Sequence, residues 1–381
     1  MAMIAPSSDR GTFVTTLGQD TVAIESFTRT PSIVDGEIIV RMPGTVLLHY
    51  TTRVGPNGEL EHSVVDIAPL GTNAVFARQV TLNVVHDTLS IDVDSSGHHS
   101  RGRVSISGPA CPQLMTGFGA SYGLYDSPTF FESCGAIASA SAGDTVRFAA
   151  IDIASGRLVK RWFVKLSSNV LDADYFGIGR TRFALGQNGE IISGNATETT
   201  EQTQIRRIDF MDLHAIADRF AAEDHAGKGL GAASPDVIAR GTVGGKQVVV
   251  TYGSPRRRGR SILGTVVPFA EVWRTGANEA TLLFLDRNYD IGGAAVPAGT
   301  YSVWTVPSRD GKVDLIINSQ HGQWGTDYDK SRDLFHIPMQ VSSISPPRED
   351  FTIAIGNDGG SSSLDMSWDT FRWSVPISPA K

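Results

Sequence analysis

Cysteine, surplus positive charge and long apolar runs are what this sequence lacks. No run reaches 18 apolar residues, so nothing in it reads as a membrane-crossing helix. The opening MAMIAPSSDR has neither the apolar stretch nor the small-residue cleavage site of a secretory signal, and as written the chain reads as soluble. Lys and Arg number 33 against 40 Asp and Glu, a net charge of −7. A protein built to follow nucleic-acid phosphates carries the opposite balance, so nucleic acid is not an expected partner. The nine histidines show no H-E-x-x-H or H-x-H spacing, no C-x-x-C pair occurs, and Walker and dinucleotide fingerprints are missing. Neither a metal nor a cofactor is therefore expected.

The two cysteines, Cys111 and Cys134, bracket a segment rich in Gly, Pro and aromatic residues. Two readings of them stay open. A disulfide would close the segment and imply an oxidising compartment, whereas two unrelated buried thiols would imply nothing about location.

What is present is mostly strand. With 40 Gly and 18 Pro in 381 residues, the chain leans toward turns and strands, and its length suits two domains. Residues 1–10 read as a disordered start. From residue 11 to about 208, alternating stretches such as EIIVRM, TVLLHYTTRV and RQVTLNVVHDTLSIDVD follow one another across GPNG, SSGH and Asn188-Gly189 turns. This half is predicted to be one antiparallel domain, a curved sheet or open barrel. Phe210, Leu213, Ile216, Ala217 and Phe220 fall at helical spacing within Asp209–His225, and Gly227, Gly229, Gly231 and Pro235 follow. A helix and Gly-rich linker are thus predicted over 209–234. Residues 235–378 supply about eight short strands, the pattern of a β-sandwich or jelly roll. The fold class is mainly β.

Several familiar spellings fail on context. GASYG, Gly119 to Gly123, matches the nucleophile-elbow pattern, yet no buried strand precedes it and no helix follows. DVDSSG, Asp92 to Gly97, opens like a calcium loop, but the twelfth position is Arg103 where a bidentate Glu is needed. His98 and His99 point to opposite faces of an extended chain and cannot chelate together.

The polar chemistry concentrates between Ser254 and Thr281, SPRRRGRSILGTVVPFAEVWRTGANEAT. This stretch, followed by VPAGTYSVWTVPS, NSQHGQWGTDYD, DFTIAI and LDMSWDTFRWSVPI, resembles the bacterial family catalogued as domain of unknown function 2911. The likeness covers roughly residues 235 to 378. It implies an exported bacterial protein, periplasmic or secreted, whose export signal is not in this sequence, and it implies no known reaction. The first half resembles no family by motif, though its pattern is similar in kind to bacterial periplasmic lipid-handling sheets.

Arg256, Arg257, Arg258 and Arg260 surround Pro255 and Gly259, so a loop can fan their guanidinium groups toward one anion, or each can pair with a nearby carboxylate. Arg260 sits most clearly at a position of the family motif. In WRTGANE, Arg274, Asn278 and Glu279 are expected at a strand mouth, where Glu279 can act as acid or base while Arg274 and Asn278 hold negative charge. The alternative is an ion pair between Arg274 and Glu279 that stitches a loop. Trp273 and Trp324 are the expected stacking platforms, with Trp304 and Trp373 in the core. Around Trp324 stand His321, Asp327 and Asp329, a polar loop with acids and a base.

Three functions follow from these residues. The first is binding of a small anionic or sugar-like ligand by Arg260, Trp273, Arg274, Asn278, Glu279, His321 and Trp324. The second is a hydrolase of esters, phosphoesters or glycosides with Glu279 or Asp327 as acid or base. The third is a structural envelope protein. The oligomeric state is not legible.

Overall fold

The computed structural model describes residues 8–72, 77–116, 125–134, 140–175, 179–196, 199, 202–358 and 361–380. Residues 1–7 and the Gly119–Gly123 spelling lie outside the described residues. The chain divides into two compact units, Met1–Ala232 and Ala233–Lys381.

The first unit is built on one sheet of 15 strands. Its order starts at the edge strand His98–Ser105 and runs back through Thr88–Ser95, Arg78–Val85, Leu60–Pro69, Val46–Val54, Ile33–Val40 and Asp20–Arg29 to Asp9–Leu17. From there it continues through Thr203–Ile208, Ile191–Asn195, Gly179–Leu185, Val170–Tyr175, Leu158–Ser167 and Thr145–Asp152, and ends at Cys111–Gln113. Two meanders of hairpins are thus joined by the pairing of Asp9–Leu17 with Thr203–Ile208. All neighbours are antiparallel except the last, where Ala150 lies parallel to Cys111.

Period-2 alternation gives the sheet one buried and one more open face. Along Val46–Val54, for instance, Val46, Leu48, Tyr50, Thr52 and Val54 are buried while His49, Thr51 and Arg53 are exposed. The buried side curls around the chain's own residues 106–116 and 125–134. Ile106, Ala110, Leu114, Tyr125 and Phe130 pack on Ile38, Tyr50, Val65 and Leu82. Cys111, Phe131 and Cys134 pack on Phe13, Phe27, Phe163 and Phe183 from the other half of the sheet. Arg78 donates to Ala154 O at 3.3 Å, which brings the two ends of the curl near each other without strand pairing. The sheet is open, not a closed barrel.

Within the inner segment stands a short helix, Pro128–Ser133, that the hydrophobic pattern did not suggest. Its local signal was legible all the same. Ser127 accepts from Phe130 N–H as a cap, and Pro128 occupies the first turn, where its missing N–H costs nothing. Cys111 and Cys134 are bonded to each other, which decides between the two readings of the cysteines, and both are buried. The loop between them is 23 residues in sequence separation. Its closure is worth about 3 kcal/mol in the chain-entropy picture. Replacing both cysteines by alanine is expected to remove about that much from the first unit, measured by urea titration with and without reductant. A loss below about 1 kcal/mol would show that the inner packing alone fixes the segment.

The second helix begins later than its periodicity suggested, at His214 rather than Asp209, and ends at His225. Asp212 accepts the N–H of His214 at 2.9 Å, a local bond that competes with helix upstream. Leu213, Ala217 and Phe220 pack on Ile24 and Ile39, so this helix belongs to the first unit and covers part of the sheet's outer face. Phe210, expected on that apolar stripe, is instead exposed and lies beside the Arg10 guanidinium.

The second unit is a sandwich of two antiparallel sheets. Six strands run in the order Asp236–Val243, Lys246–Gly253, Ala277–Leu285, Gly299–Pro307, Val313–Asn318 and Asp333–Pro338. Four more run Ala294–Val296, Tyr289–Ile291, Ser361–Pro379 and Gln340–Asp358. The core between them joins Val248, Leu283, Val303, Leu315 and Ile337 of the first sheet to Ile291, Ile353, Met366 and Val375 of the second. SLDMSWDT and FRWSVPIS, which read as separate strands, form one strand of 19 residues. The register shifts opposite Arg348, with Asp369 at φ 48°, so the two stretches are joined by a bulge within one strand.

Candidate functional site

The arginine cluster is a corner of the sandwich. Residues 254–257 lie along 349–351: Arg257 N–H donates to Glu349 O, Phe351 N–H to Pro255 O, and Ser254 Oγ to Phe351 O. The side chains follow that pairing. Arg256 meets Asp350 at 3.1 Å and Arg257 meets Asp369 at 3.0 Å. Arg258 is buried at φ 50° with its N–H on Glu349 Oε1. Arg260 turns back onto its own loop, Nε donating to Arg257 O at 3.0 Å and Nη2 to Arg256 O. Its guanidinium closes the turn.

Trp273 lies in the core, not on the surface where a stacking platform must be. It is 5% exposed, with ring centroids 5.0 Å from Phe351, 6.1 Å from Trp368 and 6.3 Å from Trp373. The cause is its backbone, which bridges Thr305 in both directions and turns the indole between the two sheets. Trp304 and Trp373 are buried as the alternation predicted.

Glu279 and Trp324 do meet. Beyond Trp273 the chain passes through Thr275 at φ 52° and Gly276 and enters the strand Ala277–Leu285, whose second residue, Asn278, has an irregular φ of 64°. The loop after Val313–Asn318 lies alongside. Ala280 N–H donates to Gln323 O at 3.1 Å and Gly325 N–H to Asn278 O at 2.9 Å, which makes Glu279 and Trp324 an antiparallel bridge pair. Residues directly opposite in such a pair project to the same side. Glu279 and Trp324 therefore stand side by side, both exposed.

Gly325 makes this approach feasible. A Cβ there would lie 2.3 Å from Arg274 Cδ and 2.5 Å from Asn278 O, so the Arg274 stem passes directly against the glycine backbone. Asn278 Nδ2 donates to Ser234 O at 3.2 Å, which holds the amide to the start of the unit.

The loop that carries Trp324 is held at its base. Asn318 Nδ2 donates to Asp329 O and Asp333 Oδ1, Ser319 N–H to Arg332 O, and Tyr328 OH to Asp333 Oδ2. Burial and Asp333 push the Tyr328 hydroxyl above the ordinary tyrosine range. Under it, Trp304, Ala280 and Ile316 form a small apolar cluster, with the Trp304 and Tyr328 rings 4.9 Å apart. Trp304 and its neighbour Val303 alternate, so this cluster lies on the sheet face opposite the main core. His321 and Asp327 sit exposed on the same loop, and Asp329 caps the short 3-10 turn Lys330–Arg332. Of the expected site residues, Glu279 and Trp324 are brought side by side and Arg274 and Asn278 lie against the Gly325 backbone, while His321 and Asp327 are exposed on the loop that carries Trp324; Arg260 and Trp273 serve the frame.

A second set of polar groups had no counterpart in the sequence reading. In the first unit Glu25, fully buried, accepts from Tyr50 OH at 2.8 Å, Tyr125 OH at 2.7 Å and Ser127 Oγ at 2.7 Å. Burial pushes its carboxyl up, and the three hydroxyl donors oppose that. Five residues beyond Ser127, Glu132 meets Arg29 at 3.0 Å and Arg207 at 3.5 Å, and burial raises it to about 7 against both guanidinium groups. These partners are up to 103 positions apart, so no local motif marks them. Each joins the inner segment to the surrounding sheet, out of reach of solvent.

Among the described residues no helix is long and apolar enough to cross a membrane, and no group of three or more His, Cys, Asp or Glu is placed to hold a metal ion. No curated protein matches the chain. A crystal structure from Brucella abortus, described as a β-barrel-like protein of domain of unknown function DUF1849, is similar at 13% identity, over 54% of this chain and 98% of that one, with a TM-score of 0.35. A likeness of that size carries no inference. The second unit is different: residues 234–377 match the model of the family described as protein of unknown function (DUF2911), the family its motifs resemble.

Proposed function

We propose that the second unit binds a small hydroxyl-rich ligand, a sugar or sugar-like ring, at the surface formed by Trp324 and Glu279. The observation that carries this reading is the bridge pair itself, an exposed indole fixed beside an exposed carboxylate. An indole face offers apolar stacking to the C–H side of a ring, and a carboxylate accepts two neighbouring hydroxyls. A carboxylate at that position disfavours an anionic ligand, which narrows the expected class to neutral rings. Asn278 and His321 lie close enough in the chain to supply further polar contacts.

Binding is supported over hydrolysis by exposure. Glu279 and Asp327 both stand in solvent, where acid–base catalysis has no water-excluded site in which to act. A periplasmic or secreted location is part of the same reading, supported by the Cys111–Cys134 bond, which persists in oxidising compartments.

Calorimetric titration with a panel of neutral and phosphorylated mono- and oligosaccharides tests the proposal. Saturable binding of a neutral sugar is expected, weakened roughly 10-fold or more by Trp324→Ala and by Glu279→Gln. Preference for phosphorylated sugars, or turnover of ester, phosphoester or glycoside reporters that Glu279→Gln abolishes, would overturn it. So would loss of stability in both variants with no ligand shifting the melting temperature, the signature of a purely structural cluster.

A further inference from the structure

An edge strand presents a row of unpaired backbone N–H and C=O groups, and folded proteins shield such edges with short strands, proline, bulges, charge or cover. Two edges of this protein show those devices. Cys111–Gln113 is three residues long, buried and tied down by the disulfide. In the second unit, Gln340–Asp358 carries Pro346 and Pro347 and shifts register twice against its neighbour.

His98–Ser105 is unlike either. It is the terminal strand of the 15-stranded sheet, eight residues long, and every one of the eight is exposed. Its register with Thr88–Ser95 runs unbroken from Thr88 opposite Ser105 to Ser95 opposite His98, and it contains no proline. No other described strand pairs with it. A Cβ on Gly156 would lie 2.5 Å from Ile91 Cδ1, so the curl makes its near-closing contact at the neighbouring strand and leaves His98–Ser105 clear.

We infer that His98–Ser105 is a docking edge that takes an extended acidic segment of a partner protein as an added strand. Charge selects the occupant. The strand reads HHSRGRVS, with two arginines, two histidines and no carboxylate, on a chain whose net charge is −7. His99, Arg101 and Arg103 share one face. Arg101 meets Asp92 at 2.6 Å and His99 lies 3.7 Å from Asp94 on the inner neighbour, whereas Arg103 stands opposite Ser90, with no acid across from it. On the other face Ser100, Gly102 and Val104 lie opposite Val93, Ile91 and Leu89 and continue the sheet's apolar side. The matching segment alternates carboxylates, set beside His99, Arg101 and Arg103, with small or apolar residues set beside Ser100, Gly102 and Val104. A second copy of the same edge would place basic residues against basic residues, which disfavours self-pairing.

The test uses the full chain and a fluorescein-labelled eight-residue peptide of alternating Glu with Val or Thr, followed by fluorescence anisotropy. Three comparisons accompany it: the peptide N-methylated at every second amide in both registers, a version with Lys for Glu, and the chain carrying Arg101→Glu and Arg103→Glu. Arg101→Glu sets a carboxylate opposite Asp92, so the single variant Arg103→Glu, which stands opposite Ser90, is run beside it and is expected to melt with the parent and to weaken peptide binding in the same direction. Saturable binding of the acidic peptide is expected, with protection of the Ser100–Val104 amides from hydrogen exchange. N-methylation removes it, the Lys peptide binds more weakly, and the double variant weakens it roughly 10-fold or more. Absence of saturable binding overturns the inference. So does equal binding of the N-methylated peptides, which would reduce the effect to charge alone, or a concentration-dependent dimer abolished by the double variant, which would make a second copy the occupant.

Discussion

Replacing Arg161 by alanine is expected to destabilise the first unit by about 3–5 kcal/mol, the range found when one partner of a buried ion pair is removed. The Arg161 side chain is 2% exposed, and its Nη2 donates to Asp126 Oδ2 and, at 2.7 Å, to Asp174 O. Its Nε lies 3.5 Å from Asp174 Oδ2. Asp126 belongs to the inner segment and Asp174 to the surrounding sheet, so one guanidinium joins the two. Without it both carboxylates stay in a low-dielectric setting with their main cation gone. Hydrogen exchange on peptides covering Leu158–Ser167, as a function of urea, reads this unit separately from the other. Arg161→Met combined with Asp126→Asn and Asp174→Asn is expected to recover much of the loss, because no buried charge remains. A loss below about 1 kcal/mol for Arg161→Ala would mean water reaches the site and the triad is not a staple.

Trp273→Ala is expected to cost the second unit about 3–5 kcal/mol, the usual price of emptying a large aromatic site in a core. The indole contacts Phe351, Trp368 and Trp373, and no single neighbour can fill the space it leaves. The informative comparison is with Trp324→Ala, which removes an exposed ring and is expected to change stability by no more than about 0.5 kcal/mol. Sugar affinity should show the reverse order, kept in folded Trp273→Ala and lost in Trp324→Ala. If Trp273→Ala loses binding at temperatures where its exchange protection is native, the ligand reaches the core ring and the surface assignment is wrong.

Much of the architecture was legible because hydrophobic alternation and turn chemistry are local. The hairpins of the first half, the sandwich of the second and the irregular backbone at Thr275 to Asn278 all follow from short windows of sequence. The errors came where a local signal had a competitor. Asp212 withheld the helix start at Asp209, and SLDMSWDT and FRWSVPIS run as one strand through a bulge at Asp369. The helix Pro128–Ser133 was missed although Ser127-Pro128 announces it, because six residues are too few to show a period.

At the candidate site, residue type alone could not separate surface from core. Trp273 and Trp324 look alike in sequence, each beside Gly, Arg or Gln. One bridges Thr305 and is turned inward, and the other bridges Glu279 and is turned outward. The arginine run likewise looked like an anion grip until Glu349, Asp350 and Asp369, about 90 to 110 residues later, came beside it.

By itself the sequence determined the strand-rich class and the family likeness of roughly residues 235 to 378, against the 234–377 that the family model matches. Those properties depend on periodicity and on motifs carried within short stretches. Only the tertiary structure decided that the cysteines bond, that the first sheet curls around residues 106–116 and 125–134, that Glu25 and Arg161 hold those residues in place, and that among the described residues no second strand pairs with the outer side of His98–Ser105. Each of these is a pairing, or a missing pairing, between residues far apart in the chain. Side-chain direction and distant partners are set by register and packing, which no single window of sequence contains.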